Sequence, residues 1–267
     1  RIENIQVPRH DYQTLIIAAP GRYQPLPSDF GTKLMPAEAL RIPELCDDFS
    51  ALDPAWEKHL SPNLDRVTGR HDVPSEPLAI RWGRLRFRTG LYMYSNLRRP
   101  FGVDNGSVQV RFRAPGYYMH WQWNAARFGE GMGPALALRW KDGREVRITS
   151  LAQGPGEPFT CIGTRADGSQ AFRKLGQEPG FINFMRIELH KDELVFLSSS
   201  DGEAWQTVAT LPRTGFEGAP DTLLLGHGND KDGHLIPYPI DVYYDDLVVA
   251  HLPHEQVVNQ HEEGDTE

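Results

Sequence analysis

Short segments in which apolar and polar residues alternate, separated by turn signals, constrain the fold of this chain most strongly. In "RLRFRT", Leu85 and Phe87 alternate with arginines, and "SVQVRFR" repeats the pattern further along. The pairs "ALALRW" and "REVRIT", and "MRIELH" and "ELVFLSSS", flank the turn sequences "KDG" and "KD". Alternation with a period of two on both sides of such a turn predicts β-hairpins.

The sequence contains little that predicts helix. No segment keeps a helical period for about twelve residues with a capping signal, apart from a short turn expected near "DPAWEKHL". No repeat of fixed period occurs, which disfavours a propeller. The sequence therefore predicts an all-β protein, built as an antiparallel two-sheet jelly-roll sandwich.

Composition divides the chain into three parts. Residues 1–45 contain six prolines and are expected to form an extended arm that packs on the domain. Residues 46–253 carry the alternating segments and are predicted to form the β-sandwich. Residues 254–267 are polar and acidic without an apolar period, which predicts a flexible tail.

Charge and composition limit the partners. The 267-residue chain has 28 Lys and Arg against 36 Asp and Glu, a net charge of −8, so no nucleic-acid partner is expected. It lacks an apolar run of about eighteen residues, so no membrane partner is expected either. The compartment stays open, with a location outside the cytoplasm favoured. The two cysteines, Cys46 and Cys161, are too few for a disulfide scaffold or a thiolate zinc site, and whether they pair stays open.

Two stretches resemble a known family. "CDDFSALDPAWEKH" resembles the opening strand of concanavalin A-like β-sandwiches, and "MRIELHKDELVFLSSSDGEAWQTVATL" resembles a later hairpin of the same modules. Over residues 46–252 the chain resembles the sandwich domain at the C-terminus of glycoside hydrolase family 43 enzymes. The resemblance implies the fold and an association with carbohydrate. The catalytic propeller of that family and the "ExDxxE" strand of laminarinase-like sandwiches are not found in the sequence, so no catalytic carboxylate carries over.

A polar ribbon lies in "GYYMHWQWNAARFG". On a strand, Tyr118, His120, Gln122 and Asn124 would share one face, because side chains alternate between the two faces. Amides, an imidazole and a phenol can hydrogen-bond sugar hydroxyls, and the phenol ring can stack on a pyranose. We therefore interpret these residues as the floor of a sugar-binding groove on the concave face. Two alternatives stay open: His120 and Tyr118 acting as catalytic base and acid, or a polar face without a ligand.

Arginines and one histidine extend the candidate binding site. Arg111 and Arg113 share the polar face of one predicted strand, and Arg84, Arg86 and Arg88 that of another; the full set could form a cationic groove for an acidic sugar or simply solubilise an exposed sheet. His227 directly follows the apolar segment "TLLLG" and begins a polar loop, where it could contact a ligand.

A structural calcium ion is the one cofactor that these features suggest. The resemblance implies that the first and last strands meet, which would bring Asp47 and its neighbour Asp48 close to Asp245 and its neighbour Asp246. Four converging carboxylates need a cation or a basic side chain between them. Asp47 and Asp245 are therefore the candidate metal ligands.

These features favour a carbohydrate-binding β-sandwich that recognises a poly- or oligosaccharide and takes part in polysaccharide degradation. A first alternative is an enzyme, a polysaccharide lyase or glycoside hydrolase, that uses the same face. A second alternative is a structural accessory module. The expected partners are accordingly a saccharide and, for the accessory module, a catalytic domain or a second copy of the chain.

Overall fold

The computed structural model describes residues 40–60, 78–89, 95–113, 134–150, 159–176, 184–227 and 240–252, and most of these residues lie in strands. A short 3-10 helix at Pro43–Leu45 precedes fourteen strands: β1 (Glu57–Leu60), β2 (Leu78–Arg81), β3 (Arg84–Thr89), β4 (Ser95–Pro100), β5 (Gly106–Arg113), β6 (Pro134–Arg139), β7 (Glu145–Ser150), β8 (Phe159–Thr164), β9 (Gln170–Gly176), β10 (Phe184–Leu189), β11 (Glu193–Ser199), β12 (Gln206–Pro212), β13 (Thr222–His227) and β14 (Ile240–His251).

The strands form two seven-stranded antiparallel sheets. The first sheet has the order β1-β4-β13-β6-β7-β8-β9, and the second has the order β12-β11-β10-β5-β14-β3-β2. The predicted hairpins β6–β7 and β10–β11 are confirmed by their register. The all-β, two-sheet prediction is therefore correct.

The helical turn expected near "DPAWEKHL" is wrong for its second half. The backbone N–H of Trp56 donates to the carbonyl of Asp53 at 3.0 Å, which closes a single turn. Glu57–Leu60 then continues as β1 and pairs with β4. The strand pairing satisfies backbone groups that one isolated helical turn would leave without partners.

Alternation along each strand places apolar side chains between the sheets. Val108 and Val110 of β5 and Leu136 and Leu138 of β6 are fully buried there. The hydroxyl of Tyr244, also fully buried, accepts a hydrogen bond from the backbone N–H of Ala135 at 2.7 Å. Since Tyr244 belongs to β14 and Ala135 to β6, this bond joins the two sheets through the core.

β14 changes its partner along one edge. Its first half pairs with β3, whereas beyond a register shift after Asp245 that edge pairs with residues 41–47. Asp47 and Leu247 exchange two backbone hydrogen bonds of 2.9 and 3.0 Å. Asp246, at the shift, has a φ of 49°, as expected for a bulge that re-aims the chain. The segment just before the predicted sandwich boundary thus contacts the sandwich, while residues 1–39 and 253–267 lie outside the described part of the chain.

Both cysteines are free thiols. Cys161 is fully buried, and burial raises the pKa of its thiol above the ordinary value. The Sγ atom of Cys46 donates to the carbonyl of Ile42 at 3.4 Å. Among the described residues, no helix is long and apolar enough to cross a bilayer.

Candidate functional site

The predicted catalytic and binding residues fall into three groups. Tyr118, His120, Gln122 and Asn124 lie within residues 114–133, outside the described part of the chain, so the polar ribbon stays a prediction. His227 ends β13, where its backbone pairs with Ser95 and Pro134 in the first sheet.

Arg111 and Arg113 belong to the second sheet, on β5. They face away from the core, which the alternate residues Val110 and Phe112 enter. They are therefore separated from His227, and the structure does not join these three residues in one site.

A row of polar side chains crosses the outer face of the second sheet at β14. Tyr243 pairs in register with Arg86 of β3 on one side and with Arg113 of β5 on the other. Asp245, two residues further along, pairs with Arg111 and contacts Arg84. The outward residues of β14 therefore lie between arginines contributed by both neighbouring strands.

Ion pairs occupy part of this row. The Nε atom of Arg84 lies 3.1 Å from Oδ2 of Asp245, and Nη1 of Arg111 lies 3.6 Å from Oδ2 of Asp246. Burial and then the neighbouring Asp246 carboxylate raise the pKa of Asp245, while Arg84 and Arg111 oppose the shift. The arginines thus interleave with acidic side chains and do not form an unbroken cationic groove.

Trp82 stands at the tip of the β2–β3 hairpin beside this row. Its side chain is 59% exposed, the only exposed large hydrophobic side chain in the described part of the chain. Its ring stacks on that of Tyr243, with centroids 6.2 Å apart and planes 28° apart. We call the surface formed by Trp82, Tyr243, Asp245 and the flanking arginines the arginine–aromatic face; its arginines are Arg81, Arg84, Arg86, Arg111 and Arg113.

The backbone at Trp82 is unusual for so large a residue. Arg81 and Arg84 pair directly, so Trp82 and Gly83 form a two-residue turn with φ values of 55° and 67°. Positive φ at both positions defines a type I′ turn, which favours Asn-Gly, and a side chain in this conformation costs roughly 1–2 kcal/mol. Strain of this kind often accompanies a functional role.

A second aromatic group borders the face on the β10 side. The guanidinium of Arg186 lies 3.7 Å from the ring centroid of Trp205, and that of Arg111 lies 5.8 Å from the ring of Phe184. Trp205 also packs edge-on against Phe184, with centroids 6.3 Å apart. Trp205 therefore packs against β10.

The candidate calcium ligands have partners within the chain. Oδ1 of Asp47 accepts the backbone N–H of Phe49 and Oδ2 accepts Nε1–H of Trp56, both at 2.7 Å. Asp245 contacts Arg84, as described above. Within the described ranges, no group of three or more His, Cys, Asp or Glu side chains could hold a metal ion. These contacts fit a calcium site poorly, and structural calcium stays a prediction.

Buried and half-buried carboxylates on the outer faces contact arginines. In the first sheet, Oε2 of Glu145 accepts Nε–H of Arg139 at 2.8 Å, and Oε1 accepts Nε–H of Arg147 at 2.9 Å. In the second sheet, Glu188 lies 3.2 Å from Arg186. These arginine contacts occupy the carboxylate oxygens that a reaction would use.

The two-sheet architecture has counterparts among solved structures. The Crh5 transglycosylase in complex with NAG superposes with a TM-score of 0.53 at 16% identity, covering 78% of this chain and 84% of that one. A β-glucanase of Bacillus licheniformis gives 0.51 at 12% identity, covering 78% and 97%. The fold is concanavalin A-like.

The GH43 protein BlXynB of Bacillus licheniformis also superposes on the concanavalin A-like sandwich, with a TM-score of 0.50 at 15% identity. The match covers 78% of this chain and 39% of BlXynB. The likeness to glycoside hydrolase family 43 thus concerns part of that enzyme and supports the fold alone. No protein-family model matches the chain, and no curated protein matches it.

Sequence reasoning missed the two aromatic residues of the arginine–aromatic face. Neither Trp82 nor Tyr243 is among the residues predicted from the sequence. The signal available was the dipeptide Trp82-Gly83 between two alternating segments, where a tight hairpin turn places a bulky residue at a position that suits Asn.

Proposed function

We propose that the protein binds a poly- or oligosaccharide on the arginine–aromatic face and takes part in polysaccharide degradation outside the cytoplasm. The exposed indole of Trp82, held by a backbone with positive φ, carries the proposal. A flat aromatic ring presents an apolar surface to the C–H face of a pyranose. Guanidinium and carboxylate groups beside it can bind the sugar hydroxyls.

The structural neighbours support the class of ligand. One is named as a transglycosylase in complex with NAG and another as a β-glucanase, so the same sandwich serves carbohydrate chemistry in those proteins. At 16% identity and below they support the fold and not a particular reaction. The sugar specificity of this chain must therefore come from its own side chains.

The described residues favour binding over hydrolysis. Glycoside hydrolysis uses two carboxyl groups about 5–10 Å apart, one protonated and one ionised. Glu145, Glu188 and Asp245 each contact an arginine. Each arginine donates to carboxylate oxygens that proton donation or nucleophilic attack would use.

A glycan panel assayed for both retention and products tests the proposal. We expect the wild-type protein to retain at least one oligosaccharide without consuming it. Trp82→Ala should weaken that binding about tenfold or more, as truncation of a buried aromatic anchor does. Trp82→Phe keeps a stacking ring and should retain most of the affinity, which makes it the matched control.

Three results would reject the proposal. Retention of no glycan would favour a structural accessory module, and binding that ignores Trp82→Ala would move the ligand off this face, with the predicted ribbon around Gln122 as the next surface to test. Release of reducing ends or of an unsaturated uronate would reveal an enzyme. His120→Ala would then show whether the predicted ribbon carries the reaction.

A further inference from the structure

We propose that the saccharide recognised on the arginine–aromatic face is acidic, with a carboxylate-bearing sugar as its charged unit; this rests on the proposed function. The described part of the face has five arginines, Arg81, Arg84, Arg86, Arg111 and Arg113, and three aspartates lie on it or in contact with it, Asp241, Asp245 and Asp246. The face therefore has two excess positive charges, although the whole chain has a net charge of −8.

Two rows of the face differ in the residue that stands between their arginines. At the Asp245 row, the aspartate lies between Arg84 and Arg111 and offsets part of their charge. At the next row, the residue between Arg86 and Arg113 is Tyr243, whose phenol is uncharged at neutral pH. The Tyr243 hydroxyl in turn donates to Asp241 at 3.3 Å, so this aspartate adjoins the row without standing at its central position.

The aromatic platform adjoins this positive row. Since Trp82 stacks directly on Tyr243, a pyranose that lies against the exposed indole is a near neighbour of Arg86 and Arg113. The strands that carry these arginines are separated by β14 alone, so their backbones are roughly 10 Å apart. Long guanidinium side chains can bring donors toward a single carboxylate across such a span.

The two arginines on either side of Tyr243 differ in exposure. Arg86 is 8% exposed, so it acts on a ligand mainly through its electrostatic field. Arg113 is half-buried, and its guanidinium can reach a ligand. The guanidinium groups of Arg86 and Arg113 both have interactions within the chain, and what attracts an acidic ligand is the net positive charge around them. Acidic protein surfaces and nucleic acids also carry negative charge, but they do not require a single exposed indole beside the charge.

Isothermal titration with matched acidic and neutral oligosaccharides tests this inference. The probes are pentamers of galacturonate, glucuronate and mannuronate, each paired with its carboxyl-reduced form, which has the same linkage and no charge. We expect at least one acidic pentamer to bind about tenfold or more tightly than its neutral partner, the range for a hydrogen bond to a charged group. The preference should shrink at about 1 M salt, where the Debye length is roughly 3 Å.

Two charge-removing variants localise the effect. Arg113→Gln should remove most of the preference for the acidic form, and Arg113→Lys should recover part of it, because lysine keeps the charge but loses the planar fork. Lys141→Gln removes the same charge from an exposed turn between β6 and β7 of the first sheet and should change nothing. Circular dichroism confirms that each variant is folded before titration.

The outcomes separate this inference from the proposed function. If neutral glycans bind as tightly as acidic ones and Trp82→Ala abolishes both, the acidic preference is wrong and sugar binding stands. If acidic pentamers bind and Trp82→Ala has no effect, the attraction is non-specific and the inference is wrong. If no glycan of any kind binds, both proposals are wrong.

Discussion

The hydroxyl of Tyr244 accepts the backbone N–H of Ala135 at 2.7 Å across the interior of the sandwich, and it also contacts the carbonyl of Gly226. Tyr244 lies in the second sheet, whereas its two partners lie in neighbouring strands of the first sheet. A single side chain thus satisfies buried polar groups that belong to the opposite layer.

We expect Tyr244→Phe to lower the free energy of unfolding by about 1–3 kcal/mol, because it strands the buried N–H of Ala135. Urea denaturation measures the loss. Tyr243→Phe is the control: its hydroxyl donates to Asp241 at 3.3 Å on the outer face, and its loss should cost about 0.5 kcal/mol or less. Equal losses in the two variants would contradict this account.

Arg213 holds three separate segments together. It is 4% exposed, and its guanidinium donates to the carbonyls of Asp104, His190 and Gly218 at 2.7–2.9 Å. Arg213→Ala leaves these carbonyls and the side chain of Asp104 without their donor. We expect a loss of about 3 kcal/mol or more in the free energy of unfolding, measured by urea or thermal denaturation.

Arg144 provides the comparison for Arg213. It donates to the carbonyl of Gly215 in the same loop at 3.0 Å, but from a solvent-facing position. Water can replace that donor, so Arg144→Ala should lower the free energy of unfolding by about 1 kcal/mol or less. A loss as large as that of Arg213→Ala would show that burial is not what gives Arg213 its effect.

Trp82→Asn should separate stability from function. Asparagine suits the type I′ turn, so the variant relieves roughly 1–2 kcal/mol of backbone strain. It also forfeits the stacking with Tyr243, and aromatic pairs contribute about 0.5–1.5 kcal/mol. We expect the free energy of unfolding to stay within about 1 kcal/mol of the wild-type value while glycan binding falls about tenfold. A loss of stability well beyond that range would assign Trp82 a structural role.

Stability should fall as pH rises through the titration of Asp245. Burial, followed by repulsion from Asp246, raises the pKa of this carboxyl, so the folded state binds more protons than the unfolded chain between about pH 3.9 and the raised value. The associated stability is complete below the ordinary pKa and is lost as pH rises through the raised one. The measurement is the difference in unfolding free energy between wild type and Asp245→Asn across this window. A difference that grows in favour of the wild type with rising pH would contradict the direction of the shift.

The sandwich can be predicted from the sequence because short segments of the chain determine its strands and hairpins. Leu85 and Phe87 alternate with arginines over a few residues, and "KDG" lies between two such segments, so strands and hairpins can be inferred without distant contacts. The outward direction of Arg111 and Arg113 follows from the same alternation.

The arginine–aromatic face could not be predicted because it depends on which distant segments of the chain pair with one another. The pairing of Tyr243 with Arg86 and Arg113 joins segments far apart in the chain, and no local pattern sets that register. Likewise, a pair of aspartates suggests a cation, but the actual partners of Asp47 are a backbone N–H and the indole of Trp56.

The partner exchange along β14 has a consequence for where the chain can be cut. Residues 41–47 cover the half of the β14 edge that β3 does not reach, through the pairings with Ala250 and Leu247. A shortened protein that starts at Asp48 would therefore present bare backbone donors and acceptors along that border. An exposed strand edge can pair with a strand of another molecule. Residues 41–47 therefore protect this edge against edge-to-edge aggregation.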